Sequence, residues 1–206
     1  MSSAADSVSA MSYALMAYVV DLDTLHNSVG SKDDKVRRMI GGRFKQHLAN
    51  FDSQFDHTDG PSIRDAIRAV IDGGPFDSRH GTMYGYAYKW ICEFHGRALF
   101  NNDFSPMRAG WLETVDEGLN GLGVTAISVG EFNLGRVPSP IPAPDFLPCY
   151  GEWSTTECQK ALEQWEVVTD ERKAALDPSV RRAVESCMDW CYTAAAAGRG
   201  VAGFFN

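Results

Sequence analysis

Apolar positions fall into strand-like runs near the two ends of the chain and helical stripes between them. Ser12 to Val20, SYALMAYVV, is an unbroken apolar and aromatic run too short for a lone helix, and it predicts a buried strand. Asp21-Leu22-Asp23 then turns into a short helix through Val29, stopped by Gly30. Ser31 is placed to cap the next helix, with Asp33 and Asp34 in its first turn. Val36, Ile40, Phe44, Leu48, Phe51 and Phe55 recur at steps of three and four, one stripe on a long helix. The Gly41-Gly42 pair inside that stripe costs about 1 kcal/mol per glycine relative to alanine. It marks a kink, a break or close packing.

Pro61 suits a first helical position, and Ile63, Ala66, Ile67, Val70 and Ile71 follow on one face until Gly73-Gly74-Pro75. Arg79 to Gly96 is apolar nearly all round. Met83, Ala87, Trp90, Ile91 and Phe94 share one face, with Tyr84, Tyr86 and Tyr88 on others, so a central buried helix is expected. Ser105-Pro106 opens a further helix with Trp111, Leu112, Val115, Leu119 and Leu122 inward and Gly121 and Gly123 at its end. Val124 to Phe132 reads as a strand. Pro138 to Gly151, PSPIPAPDFLPCYG, is extended and proline-rich. It is a domain boundary or an ordered strap, and the apolar Phe146, Leu147 and Tyr150 favour the strap as its anchors. Ser154 to Glu157 forms a capping box before a helix carrying Leu162 and Trp165. Asp177-Pro178 starts the last helix, with Val180, Val184, Cys187, Met188, Cys191 and Ala195 on one stripe and Gly198 at its end. Val201 to Phe205 closes the chain as a strand. The expectation is a helix-rich single α+β domain over 12–206, with a small sheet that includes the N-terminal and C-terminal strands. Residues 1–11 are small and polar, a disordered extension.

Composition narrows the function. The net charge of −8 argues against nucleic acid, because phosphate binding needs a basic stripe. The densest basic group, Lys35-Val36-Arg37-Arg38, sits beside Asp33 and Asp34 and reads as a salt-bridged helix face. An acidic surface suits a basic protein partner. The five cysteines contain no C-x-x-C pair, and Cys187 and Cys191 stand one helical turn apart, too far for a bridge. Unpaired thiols, no signal-peptide pattern and no long apolar run predict a cytoplasmic protein outside the membrane.

The chain carries no short catalytic, phosphate-binding or zinc motif, and the sequence calls for no cofactor and no metal. His57 with Asp56 and Asp59 is a polar loop trio, and His47 lies beside an apolar stripe. Glu93 and His95 face different ways on their helix. The best candidate site is Arg79, His80, Tyr84 and Tyr86, at a helix start where an anion is bound or a substrate polarised. The competing reading is that these tyrosines fill the core and tie down loops with their hydroxyls. Glu152 and Trp153 are a second candidate: an exposed tryptophan there is an interaction anchor.

The segments MSYALMAYVVDLDTL, HGTMYGYAYKWICEFHG, FSPMRAGWLE, PIPAPDFLP and AAAAGRGVAGFFN together resemble a group of uncharacterised bacterial proteins of unknown function, over most of the chain from Met11. The last third, from YGEWSTTECQKAL to the terminal strand, is more distantly similar to the YfbM-like family. The resemblance implies an α+β fold with a helical majority and carries over no catalytic residue. Proteins of this kind have been suspected of being immunity or interaction proteins. The leading expectation is therefore a cytoplasmic binding protein, immunity- or antitoxin-like, that neutralises a basic partner rather than an enzyme. The alternatives are an enzyme of unread chemistry around His80, Tyr84 and Tyr86, or a small-ligand sensor with an apolar cavity. Oligomeric state is not legible.

Overall fold

The computed structural model describes residues 12–54 and 60–206. The expected extension at 1–11, Phe55 and the Asp56-His57-Asp59 trio lie outside them. The elements in chain order are β1 (Leu15–Val20), α1 (Leu22–Asn27), α2 (Asp34–Arg43), α3 (Lys45–Asp52), α4 (Ile63–Asp72) and α5 (Gly81–His95). Then come β2 (Arg97–Ala98), α6 (Trp111–Leu122), α7 (Glu131–Leu134), β3 (Cys149–Trp153), α8 (Thr155–Glu166), α9 (Asp170–Ala174), α10 (Pro178–Ala196) and β4 (Gly200–Phe205).

The fold is α+β. The sheet is antiparallel in the order β2-β1-β4-β3, so the first and last strands form its centre, paired from Leu15 with Phe205 to Val20 with Gly200. Strand alternation sends Leu15, Ala17, Val19, Val201, Phe205 and Trp153 to one face and Tyr18, Val20, Tyr150, Ala202 and Phe204 to the other. Each face buries its own core. Helices α6, α8 and α10 cover the first; α2 to α5 cover the second. Charge is uneven along the chain. From residue 103 onward the chain has fifteen acidic and eight basic residues, against twelve and eleven before it.

Two glycines in register, Gly151 and Gly203, let α7 lie directly on the sheet. A Cβ on Gly203 would stand 2.4 Å from the Phe132 ring, and one on Gly151 2.6 Å from the Glu131 carbonyl oxygen. Any side chain at either position lifts α7 off its seat.

Several boundaries differ from the sequence reading, each for a local reason. Asp33, not Ser31, caps α2: its carboxylate accepts from the amides of Lys35 and Val36, while Ser31 Oγ accepts from the amide of Asp33. The long stripe is two helices, broken at Phe44 rather than at Gly41-Gly42, whose added Cβ atoms would meet nothing within 4 Å. Ser62 caps α4, so Pro61 precedes the helix. Ser105-Pro106 opens no helix: Met107 bridges Tyr13, and α6 starts at Trp111 after a left-handed Gly110. Residues 124–130 bury alternate side chains but pair with no strand. Their amides go to side chains instead, those of Thr125 and Ala126 to Gln164 Oε1 and those of Val129 and Gly130 to Asp116.

The proline-rich strap is ordered and runs into β3. Tyr150 is buried and Leu147 packs on the first core, but Phe146 is 66% exposed and anchors nothing. On α8 the buried residues are Cys158 and Ala161, with Leu162 and Trp165 only half-buried. The capping box at Ser154 and Glu157 is present, as is Asp177 capping α10 with Pro178 in its first turn. All five cysteines are free thiols, with Cys187 and Cys191 both in the first core. No helix among the described residues is long and apolar enough to cross a membrane.

Candidate functional site

The Arg79 cluster folds into a helix start held by Asp77. That carboxylate accepts from the Arg79 amide and from its guanidinium at 2.6 Å, which holds the Asp77 carboxyl down at about 2. The Tyr84 hydroxyl accepts from the Asp77 amide at 3.3 Å, and its ring meets Phe76 edge-on. His80 is half-buried, its ring 3.1 Å from where a Cβ on Gly60 would lie. Tyr86 is separate from these, packed against Phe51. Arg79, His80 and Tyr84 therefore come together as a lock on the entry to α5, and Tyr86 does not join them. Trp153 is fully buried, its ring tilted against those of Phe132 and Trp190 and its indole N–H donating to the Ser128 carbonyl. It is core and no surface anchor.

Glu152 leads elsewhere. Strand alternation puts Tyr150 and Glu152 of β3 on the face covered by α1 and α5. There Glu152 Oε2 lies 2.8 Å from His26 Nε2 and accepts from the Tyr150 hydroxyl at 2.5 Å. His26, on α1, is 40% exposed and Glu152 34%, so the pair sits at the surface with the buried Tyr150 against it. Below Tyr150 lies Tyr88 of α5, ring centroids 5.3 Å apart, its hydroxyl buried without a well-formed hydrogen bond among the described residues. Burial raises both phenols above the ordinary tyrosine range.

The same helix extends the polar seam. The Tyr18 hydroxyl donates to Glu93 at 3.1 Å, and Lys89 Nζ lies 3.7 Å from that carboxylate. Burial lowers Lys89, opposed by Glu93, and raises Tyr18 and the Cys92 thiol. Ser28 Oγ donates to the Thr24 carbonyl at 2.8 Å and lies 3.1 Å from His95 Nε2. With its proton on that carbonyl, the serine oxygen can accept from the Nε2–H tautomer of His95. Burial lowers His95, which favours its neutral form.

The pair most able to do chemistry is His26 with Glu152. A carboxylate on Nε2 fixes the imidazole's orientation and leaves Nδ1 to accept a proton. No group of three or more His, Cys, Asp or Glu among the described residues is placed to hold a metal ion. A second feature is a cleft of about 380 Å³ walled by Trp111, Leu147, Phe205 and the exposed Phe146.

A family model matches residues 11–206, a domain of unknown function, DUF7691. The chain belongs to the DUF7691 family. No curated protein and no solved structure matches it, and the likeness of its last third to the YfbM-like family has no counterpart among these matches. A DUF7691 chain thus brings no relative's chemistry to the site, and the geometry alone must speak for it. Sequence reasoning picked out Glu152 but missed His26 and Tyr150 as its partners. Residues 126 positions apart leave no local pattern, and the one available signal was the alternation of Tyr150 with Glu152.

Proposed function

We propose that this protein binds a basic protein partner, in the manner of an immunity or antitoxin protein, through the outer surface of α6 to α10. What supports the reading is the uneven charge, with the acidic excess concentrated from residue 103 onward, the part of the chain that supplies α6, α8 and α10. On the stretch from α8 to α9, Val167 stands 79% exposed among the exposed Glu163, Glu166, Asp170 and Glu171. An apolar contact point with several carboxylates near it along the chain, of which Asp170 is paired with Lys173, suits a lysine- or arginine-rich surface, which it attracts at long range and holds by desolvation. The test is capture from the native host across a salt series, comparing the natural chain with Glu163→Lys/Glu166→Lys/Glu171→Lys. A basic protein retained at low salt and lost with the triple variant is expected. Capture of no protein, or capture indifferent to charge reversal, would overturn the proposal. The immunity reading adds that the partner arrests growth when expressed alone and not when coexpressed.

One observation favours a second reading, an enzyme using His26 as a general base. It is the carboxylate on Nε2 of a part-exposed imidazole. An NMR spectrum in which Glu152→Gln leaves the His26 ring resonances unmoved would remove that reading.

A further inference from the structure

On the opposite side of the molecule from the acidic layer, four arginines line one cleft. Helix α2 supplies Arg37, Arg38 and Gly41, α4 supplies Arg64, Ile67 and Arg68, and Leu48 of α3 contributes from below. The spacings of three and four put each set on one face of its helix. The volume is about 380 Å³, the size of a small-molecule site. Its floor is apolar, since Leu48 and Ile67 are buried, and Gly41 opens it, since a Cβ there would meet nothing within 4 Å.

The arginines are incompletely used. Arg37 pairs with Asp34 and with Asp72 at 3.5 Å, and Arg68 pairs with Asp65 at 3.6 Å across a mostly exposed contact. Exposed pairs of that kind are weak and yield readily to a better anion. Arg38 donates through Nε to the Asp34 carbonyl and Arg64 through one terminal nitrogen to the Lys45 carbonyl at 3.5 Å. Among the described residues neither has a carboxylate within ion-pair distance. Each guanidinium has five N–H donors, so these two keep most of theirs available.

We propose that this cleft binds a small molecule bearing two or more phosphates. A lone carboxylate occupies one guanidinium fork; four forks around one space match an anion with several oxygens and more than one charge. The apolar floor takes a flat uncharged body, as a nucleotide base would be.

The test is titration calorimetry of the full chain with two probes, inorganic tripolyphosphate and adenosine triphosphate. Saturable binding of at least one is expected, weakened tenfold or more in Arg38→Ala/Arg64→Ala. Gly41→Phe keeps every charge but fills the cleft, and it should abolish binding. Arg136→Ala, an exposed arginine elsewhere, should leave it unchanged. All three changes are at positions where a side chain is exposed or meets open space, and far-UV circular dichroism verifies the fold. Tighter binding of the nucleotide assigns the floor to its base, and equal binding assigns the site to phosphates alone. No saturable binding of either probe overturns the proposal. So does binding that survives the double variant, or binding that falls equally in Arg136→Ala.

Discussion

At the scale of single residues, the buried tyrosines under the His26–Glu152 pair separate two kinds of hydroxyl. That of Tyr150 serves a carboxylate, whereas that of Tyr88 is buried with no hydrogen bond of good geometry among the described residues and only the Tyr150 hydroxyl as a poorly aligned neighbour. A hydrogen bond to a charged group contributes about 1.5–3 kcal/mol net, while an unmade one in the interior costs free energy. Tyr150→Phe should therefore destabilise by about 2 kcal/mol. Tyr88→Phe keeps the ring packed on Tyr150 and Phe204 and should be neutral or stabilising by up to about 1 kcal/mol. Urea denaturation of the two variants checks this, and equal losses would show that Tyr88 has a partner. Burial also raises Tyr18, Tyr88 and Tyr150. Above their ordinary value of about 10, the unfolded chain releases protons that the folded one keeps. Stability should then fall as pH rises past about 10. Lys89, lowered by burial, has the opposite sign, its contribution rising with pH up to its ordinary value near 10.4. Denaturation midpoints between about pH 8 and 12 should fall from about pH 9 upward, first through the buried Cys92, Cys187 and Cys191 thiols, which burial also raises, and more steeply past about 10, with phenolate absorbance appearing together with unfolding.

At the scale of elements, period and caps were legible where the sequence itself supplies the hydrogen-bond partner. The Ser154–Glu157 box and the Asp177-Pro178 start are local, and both stand as read. The segment 124–132 was misread because alternation reports burial, not pairing. Asp116 and Gln164 satisfy its amides from a distance, and nothing in the segment announces them. The polar seam was illegible for the same reason, since His26 and Glu152 meet only once β3 and α1 are docked. Glycines separate the two situations experimentally. Gly42 is exposed inside α2 with open space around it, so Gly42→Ala should stabilise by about 0.5–1 kcal/mol, read as a higher denaturation midpoint. Gly203 lies against the Phe132 ring, so Gly203→Ala should cost about 1–3 kcal/mol or more. A neutral Gly203→Ala would mean that α7 does not rest on the sheet.

At the scale of the molecule, the sheet couples two helical layers that share few other contacts, and the last strand is the coupling piece. β4 lies between β1 and β3 and faces both cores, with Val201 and Phe205 toward one and Ala202 and Phe204 toward the other. Its absence would leave β1 and β3 without the partner they share and open both cores along their inner faces. The helices would keep their caps but lose the surface on which their apolar stripes are buried, and most helical stability in proteins comes from that burial. A chain ending at Arg199 should then retain reduced far-UV helical signal, lose the near-UV signal of the buried Trp153 and Trp190, and show no cooperative melt. Such a result places the folding unit in the whole 12–206 span, because neither layer closes its core without the strand they share. A truncated chain that still melts cooperatively would show instead that one layer folds by itself. The α10 layer is the one to suspect, since its core continues through α6 and α8 away from the sheet.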